Sequence, residues 1–262
     1  MLSSRAPVAV FDSGLGGISV LRELVRTLPR ENYCYFGDSL HAPYGTKTAQ
    51  EVIELTMQAA DMLLSAGAKA LVVACNTATS AAIRTLRKTY PELAIVGTEP
   101  AIKPAVERHP GGRILMLATA MTVKEEKFQR LKAQYDDQAQ IIPIACSGLM
   151  EYVEQGILRG PEVEGYLLDK LEPYLKVPID AVVLGCTHYP FLRASIRRIV
   201  GRRPEIIDGS FGIAKQLQRR LEEQQLLNPG PEAGTVTFRN SLDEPEMLGL
   251  MQALFSYKDE AL

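Results

Sequence analysis

The sequence contains no hydrophobic run long enough to cross a bilayer, a span that requires about 20 apolar residues. Its longest apolar run, residues 114–121, has the length of a single buried strand. Residues 1–7 lack the apolar core of a secretory signal. We therefore expect a cytoplasmic protein that has no membrane partner.

The sequence also lacks an excess of charge of either sign, with 29 Lys and Arg residues against 31 Asp and Glu residues. A balance of this kind does not favour nucleic acid or anionic lipid as a partner. The basic run at residues 193–203 is typical of a solvated helix face followed by a loop. Apolar residues make up 46% of the chain and charged residues 23%, which excludes a disordered chain and indicates a globular protein.

Cysteine is scarce, and none of the four cysteines lies close enough to another in sequence to form a CxxC redox pair or a zinc knuckle. No metal site is therefore predicted. Isolated cysteines in a reducing compartment remain thiols and usually fill hydrophobic cores. Cys34, between Tyr33 and Tyr35, fits this structural role. Cys146 ends a predicted strand, and we expect no catalytic role for it.

Strand and helix patterns alternate along the first half of the chain. Strands are predicted over residues 8–11, 33–36, 70–74 and 94–96, with amphipathic helices between them. The pattern returns roughly 110 residues later, with strands over 113–117, 140–144 and 180–184, and a last strand is predicted over 235–238. Alternation of this kind is typical of doubly wound parallel sheets covered by helices.

The repeat predicts an α/β fold of two pseudo-symmetric, doubly wound lobes with mostly parallel sheets and a cleft between them. The boundary falls at Thr98, Glu99 and Pro100, where turn residues interrupt the pattern. We assign residues 1–98 and 210–262 to the first lobe and residues 99–209 to the second.

Polar residues follow the predicted strands at their carboxyl ends. In an open parallel sheet, ligands bind beyond these ends. We therefore expect the polar residues to line one ligand-binding cleft. They are Asp12, Ser13, Asp38, Ser39, Cys75, Asn76 and Thr77 in the first half, and Thr119, Cys146, Ser147, Cys186, Thr187 and His188 in the second.

Cys75 and Cys186 occupy equivalent positions in the two halves, each after a β-branched strand and before a predicted helix. A thiol at a helix N-terminus gains thiolate character from the amide groups there. Two such thiols suit a two-base reaction in which one removes a proton from carbon and the other supplies one to the opposite face. Core packing or a disulfide is the alternative use. His188 could hold Cys186 as a thiolate or bind an anionic part of a substrate.

Asp12 precedes a glycine-rich turn that allows two interpretations. Residues 14–19 approximate the GxGxxG loop of dinucleotide-binding proteins, with Asp38 as the acidic residue further on, but a serine replaces the third glycine. Alternatively, the turn directs Asp12 and Ser13 at a substrate, where Asp12 holds an ammonium group or assists a thiol. Helix capping by Asp12 or Ser13 is the structural alternative.

Several motifs resemble those of the cofactor-independent aspartate/glutamate racemases. VVACNTAT at 72–79 and VVLGCTHYP at 182–190 are similar to the two cysteine signatures of that family. AVFDSGLGG at 9–17, Asp38 with PYG at 43–45, and EPAIKPA at 99–105 also match. The histidine that follows Cys186 and Thr187 resembles the glutamate-specific branch.

The resemblance implies an isomerase that interconverts L-glutamate and D-glutamate without pyridoxal phosphate or metal, and that supplies D-glutamate for bacterial peptidoglycan. It implies that Cys75, assisted by Asp12, acts on the D-enantiomer and that Cys186, assisted by His188, acts on the L-enantiomer. Glu154, in the segment VEQG at 153–156, is carried over as a further catalytic residue. The residues implied in glutamate binding are Asp12, Ser13, Tyr44, Gly45, Asn76, Thr77, Thr187 and His188.

The resemblance further implies a homodimer, and the short N-terminal segment leads us to expect activity without a nucleotide-sugar activator. An aspartate racemase is the nearer alternative, and a Rossmann-like nucleotide-binding protein the more distant one. The chain departs from the family pattern in the second lobe, which makes the role of Glu154 the least secure inference. The departures are Ala118, Glu125, Phe128, Ser147 and Glu151.

Overall fold

The computed structural model describes residues 3–124 and 126–258. Glu125, one of the departures from the family pattern, lies outside the described residues. The chain divides into two compact units, the first made of Met1–Thr98 and Ser210–Ser256 and the second of Glu99–Gly209 with the segment from Tyr257. Tyr257 packs its ring against Phe191 of the second unit, at 6.4 Å between ring centroids.

The first unit is built on a five-stranded sheet in which every strand pair is parallel, in the order β4-β3-β1-β2-β9. Its strands are β1 Val8–Asp12, β2 Tyr33–Gly37, β3 Ala70–Val73, β4 Ala94–Gly97 and β9 Val236–Asn240. Its helices are α1 Ile18–Thr27, α2 Ala49–Ser65, α3 Asn76–Thr89, α10 Ser210–Glu223 and α11 Pro245–Ser256.

The second unit is built on a four-stranded parallel sheet in the order β6-β5-β7-β8. Its strands are β5 Arg113–Ala118, β6 Gln140–Ala145, β7 Ala181–Leu184 and β8 Glu205–Asp208. Its helices are α4 Ile102–Arg108, α5 Ala120–Lys124, α6 Glu126–Ala133, α7 Leu149–Glu154, α8 Pro161–Leu175 and α9 Arg193–Val200.

The predicted class of two α/β lobes with parallel sheets is confirmed. The order β4-β3-β1-β2 in the first unit corresponds to β8-β7-β5-β6 in the second, so the repeat seen in the sequence is also a repeat of topology. The sequence analysis did not predict β8. This short edge strand places only Ile206 and Ile207 in the core, and the preceding arginines and Pro204 hide it among turn signals.

The central strands form because they are buried on both faces, which β-branched and aliphatic residues favour. All five residues of β1 and all four residues of β3 and β7 are buried. Asp12, the last residue of β1, is the one charged residue among them, and its carboxylate is fully buried. A carboxylate is buried only where it serves an interaction that offsets its loss of hydration.

A buried ion pair lies at the amino ends of β2 and β3 in the first unit. The sequence pattern did not reveal it. Lys69 and Glu31 lie 2.5 Å apart, with side chains 0% and 2% exposed. The Lys69 ammonium also donates to the carbonyls of Ser4 and Leu226. Glu31 accepts the backbone N–H of Asn228 at 2.7 Å. The pair therefore ties four segments of the chain together, around residues 4, 31, 69 and 226–228.

We expect Lys69→Met to destabilise the protein by about 3–5 kcal/mol, because it leaves the Glu31 carboxylate buried without its cation. The free energy of unfolding, measured by chemical denaturation, tests this. Lys103→Met is the matched control, since the Lys103–Glu107 pair is 3.8 Å apart and its side chains are 66% and 61% exposed. Equal midpoints for the Lys69→Met and Lys103→Met variants would contradict a structural role for the buried pair.

Candidate functional site

The side chains that the sequence analysis predicts to be functional lie at the carboxyl ends of the strands in each sheet, together with Thr98. In the first unit, Asp12 ends β1, Asp38 follows β2, Cys75 follows β3 and Thr98 follows β4. In the second unit, Thr119, Cys146 and Cys186 follow β5, β6 and β7. Parallel strands deliver their carboxyl ends to one edge, which is where ligands bind in open α/β sheets.

Cys75 caps the N-terminus of α3. Its Sγ, on a residue only 6% exposed, accepts the backbone N–H of Ala78 at 3.4 Å and lies 3.2 Å from the Ser13 hydroxyl. The strand and the 14-residue helix therefore hold the thiol where the helix N-terminus favours negative charge. This is the position that the sequence predicts for Cys75.

Asp12 is positioned by the glycine-rich turn that follows it. Its Oδ1 accepts the N–H of Gly14 at 2.9 Å. Gly17 makes the close packing possible, because a Cβ at Gly17 would lie 2.6 Å from the Asp12 Cβ and 2.9 Å from that of Ala74. Gly17 is also the residue that precedes α1, with no side-chain cap, so neither Asp12 nor Ser13 caps that helix.

The glycine-rich turn is closed by its own hydrogen bonds where α1 begins. The N–H groups of Ile18 and Ser19, which begin α1, donate to the carbonyls of Leu15 and Gly16 at 3.1 and 3.0 Å. The carbonyl of Gly14 accepts the Tyr35 hydroxyl at 2.7 Å. These two backbone amides are therefore bonded within the turn, which disfavours a dinucleotide phosphate at this helix start.

Tyr44 belongs to the same group of side chains as Cys75. It lies in the 3₁₀ turn Tyr44–Thr46, which also holds the partly exposed Gly45, and its hydroxyl donates to Asp38 Oδ2 at 2.7 Å. Burial raises the pKa of Tyr44, as do the hydrogen bond to Asp38 and the negative charges of Asp38, Cys75 and Asp12. The phenol therefore remains a hydrogen-bond donor throughout the physiological pH range.

Asn76 and Thr77 form the first turn of α3. The Asn76 side-chain Oδ1 accepts the hydroxyl of Thr98 at 2.9 Å, and Thr77 is 5% exposed. A helix N-terminus of this kind, with amide and hydroxyl side chains beside its backbone N–H groups, is suited to a carboxylate ligand.

Cys186, in the second unit, lies in a different local setting from the one predicted. It follows β7 but does not begin an α-helix: the 3₁₀ turn Tyr189–Leu192 comes next, and α9 begins only at Arg193. Pro190 is the physical reason, because it has no N–H to donate to the Cys186 carbonyl, as an α-helix starting there would require, and the Tyr189 N–H donates to that carbonyl instead at 3.1 Å. The expectation of a helix N-terminus at Cys186 is therefore wrong.

A buried histidine, and not a helix N-terminus, lies next to the Cys186 thiol. His188 Nδ1 lies 3.6 Å from Cys186 Sγ, and His188 Nε2 lies 2.6 Å from Glu154 Oε1. Burial lowers the pKa of His188, but the hydrogen bonds and negative charges of Cys186 and Glu154 outweigh it and raise the pKa well above the ordinary value of 6.5. The raised pKa favours the imidazolium form, and its positive charge lies beside the Cys186 sulfur.

The remaining polar residues of this edge are buried or paired. Thr187 is 8% exposed, and the Thr119 hydroxyl lies 3.0 Å from that of Thr122. Cys146 is buried, and burial raises its pKa to about 12, which keeps it a neutral thiol. Its carbonyl accepts the Tyr189 hydroxyl at 3.1 Å.

The described departures from the family pattern have structural explanations in part. Ala118 and Phe128 are buried in one apolar cluster of the second unit. Ser147 is exposed, and its carbonyl accepts the Tyr166 hydroxyl at 2.7 Å. Glu151 is exposed on α7, and nothing in the structure explains it. Cys34 is partly buried against the core of the first unit.

Sequence reasoning missed several contacts at these edges. The Tyr44–Asp38 hydrogen bond lies within the connection between β2 and α2, the Thr98–Asn76 hydrogen bond joins the end of β4 to the start of α3, and no sequence pattern marks either. Glu154 came only from the family resemblance. Across residues 3–124 and 126–258, no group of three or more His, Cys, Asp or Glu residues could hold a metal ion. No helix in the same ranges is long and apolar enough to span a membrane.

Comparison with known proteins gives concordant results. Residues 13–214 match the family model for Asp/Glu/Hydantoin racemase. The chain is 47% identical to a glutamate racemase of Clostridium perfringens, over 97% of this chain and 98% of that protein.

Solved structures agree with this match. The structure of glutamate racemase from Francisella tularensis in complex with D-glutamate matches with a TM-score of 0.82 and 26% sequence identity. The match covers 97% of this chain and 95% of that one. The Escherichia coli glutamate racemase in complex with L-glutamate and the activator UDP-MurNAc-ala has a TM-score of 0.82 at 29% identity over 95% of each chain. The resemblance in the sequence motifs is thus confirmed, and the chain belongs to the Asp/Glu/Hydantoin racemase family.

Proposed function

We propose that the protein is a glutamate racemase that interconverts L-glutamate and D-glutamate by a two-thiol mechanism without a cofactor. One observation carries the proposal: a buried thiol follows the equivalent strand of each unit, and each has its own polar support. The activity of the Clostridium perfringens relative, together with the bound glutamate enantiomers in the two solved structures, supports the choice of substrate.

In the proposed reaction, Cys75 as a thiolate removes the α-proton of D-glutamate, and the C–H electron pair remains on the α-carbon. The Cys186 thiol then donates its proton to the opposite face, giving L-glutamate, a Cys75 thiol and a Cys186 thiolate. The L-to-D reaction runs the same steps in reverse. No electrons are gained or lost overall, so the chemistry requires no redox group.

The difficult step is the removal of a weakly acidic proton beside a carboxylate that is already negative. Groups that bind the carboxylate and stabilise the charge developing there lower this barrier. We assign that role to Asn76, Thr77 and the N-terminal amides of α3, together with Thr187. Asp12, a buried carboxylate, binds the substrate ammonium group or assists Cys75. Ser13, Tyr44, Gly45 and His188 complete the proposed binding residues.

Glu154 and His188 act together in this proposal. Glu154 holds the imidazolium, and the imidazolium holds Cys186 as a thiolate when L-glutamate is the substrate. The least secure inference from the family pattern thus gains support from the 2.6 Å contact between Glu154 and His188.

The wider proposal follows the family resemblance. We infer a cytoplasmic homodimer that supplies D-glutamate for peptidoglycan synthesis. An aspartate racemase remains the alternative, and chiral chromatography of product from D-glutamate and from D-aspartate separates the two. We expect glutamate to be the preferred substrate; faster turnover of aspartate would move the protein to the sister activity.

Replacing either site thiol should abolish racemisation in both directions. We expect Cys75→Ser and Cys186→Ser each to lower kcat/KM by about a thousandfold or more, because serine is a far weaker acid than cysteine and proton transfer supplies rate enhancement of that order. The two enantiomers have equal free energy, so kcat/KM must fall by the same factor in each direction. Circular dichroism of the substrate follows both reactions.

Cys34→Ser is the matched control for these variants, since Cys34 lies near the amino end of β2, away from the carboxyl ends of the strands. We expect Cys34→Ser to racemise glutamate at close to the wild-type rate. Near-normal activity in either the Cys75→Ser or the Cys186→Ser variant would rule out the two-thiol mechanism.

The raised pKa of His188 predicts an alkaline limit to activity. Its imidazolium charge is present at neutral pH and is lost as the pH rises through the raised pKa, so turnover of L-glutamate should decline there. Glu154→Gln removes one of the two negative partners, so the imidazole loses its proton at lower pH. We expect the alkaline limb of kcat for L-glutamate to move to lower pH, and kcat at pH 8 to fall about tenfold.

Profiles of kcat against pH for the wild type, Glu154→Gln and Glu151→Gln test this. Glu151 lies on the same helix, is exposed and serves as the control. An unchanged alkaline limb in Glu154→Gln, or an equal displacement in Glu151→Gln, would show that the Glu154–His188 contact does not set the protonation of the imidazole.

A further inference from the structure

Thr98 forms a hydrogen bond with Asn76, a residue proposed to bind the substrate carboxylate. It follows β4, is 4% exposed, and donates its hydroxyl proton to Asn76 Oδ1 at 2.9 Å. Sequence patterns mark Thr98 only as part of a turn between the two lobes. Its position beside the first residue of α3 arises from the parallel pairing of β4 with β3, which brings the two strand ends to the same edge.

The hydroxyl of Thr98 has two acceptors within reach, and the oxygen of Asn76 is the nearer of the two. Thr79 donates its own hydroxyl proton to the Val73 carbonyl at 3.0 Å and accepts the Thr98 backbone N–H at 3.1 Å. The two threonine hydroxyl oxygens are 3.4 Å apart, further than the 2.9 Å that separates Thr98 from Asn76. The network therefore directs the Thr98 proton at the Asn76 oxygen.

A close approach of the end of β4 to the side chains of α3 builds this network. A Cβ at Gly97 would lie 2.6 Å from Thr79 Cγ2 and 3.1 Å from Ile83 Cδ1. Glycine at this position therefore leaves room for the Thr79 side chain beside the end of β4. Thr98 is held within reach of both Thr79 and Asn76 as a result.

A side-chain amide is planar, with its acceptor and donor at opposite ends, and rotation by 180° exchanges them at little steric cost. Donation from Thr98 to Oδ1 fixes which end lies against the protein. We propose that Thr98 is a positioning residue, which orients the Asn76 amide so that its NH₂ group, and not its oxygen, faces the substrate α-carboxylate. The inference rests on the proposed racemisation of glutamate, in which Asn76 binds that carboxylate.

The orientation matters most in the transition state. Charge develops on the carboxylate as the α-proton leaves, and a pre-oriented donor stabilises that charge without reorganising. A rotated amide would present its oxygen to the carboxylate and repel it. Loss of the Thr98 hydroxyl should therefore lower kcat as well as raise KM, whereas a loss of ground-state binding alone would raise only KM.

The test is a double-mutant cycle with Thr98→Val, which removes the hydroxyl at nearly constant volume, and Asn76→Ala. We expect Thr98→Val to lower kcat/KM for glutamate about tenfold, the effect of one hydrogen bond. Thr98→Ser, which keeps the hydroxyl, should stay within about twofold of the wild type. In the Asn76→Ala background, Thr98→Val should change kcat/KM by less than about twofold, since no amide is left to orient.

The outcomes separate the two proposals. If the wild type racemises glutamate and Thr98→Val is fully active, or if Thr98→Val costs the same with and without Asn76, the positioning role is wrong while the racemase assignment stands. If the wild type does not racemise glutamate, both fail together. Thermal unfolding midpoints check that each variant folds, and Thr98→Ala, with the same expected loss, replaces Thr98→Val if the valine variant does not.

Discussion

The proposed chemistry depends on keeping a buried thiol available as a thiolate. A thiol removes a proton only in that form, and burial favours the neutral form unless nearby groups stabilise the charge. Cys146 illustrates the default, because burial, helped by the negative charge of Cys186, raises its pKa to about 12. Cys75 and Cys186 are also buried, yet each contacts groups that favour negative charge. The strand ends, the glycine turn and the helix starts serve to place those groups.

The same topology supports the two thiols in different ways. In the first unit, β3 leads directly into α3, and Cys75 receives the helix N-terminus together with the Ser13 hydroxyl. In the second unit, Pro190 follows soon after β7, and the imidazolium of His188, held by Glu154, provides the positive charge near Cys186. The two units thus share a strand order but place different groups around their thiols. One uses fixed backbone dipoles that do not titrate, and the other uses a group that does.

Much of the architecture could be predicted from the sequence because its signals are local. Buried β-branched runs followed by polar residues gave the parallel strands and the edge at which the functional residues lie. β8 was missed because its two core residues are too few to form a pattern. The contacts of Thr98 with Asn76, Tyr44 with Asp38 and Lys69 with Glu31 join residues 22, 6 and 38 positions apart. They depend on how loops and side chains pack, which periodicity does not encode.

The most direct test of the two-thiol account is proton NMR of the early reaction of D-glutamate in D₂O. If one thiol removes the α-proton and a different, solvent-exchanged thiol reprotonates the other face, the first L-glutamate formed carries deuterium at the α-carbon. The unreacted D-glutamate retains its α-proton at the same time. L-glutamate that keeps the original proton would mean that a single base returns it, and would contradict the account, as would the absence of any exchange.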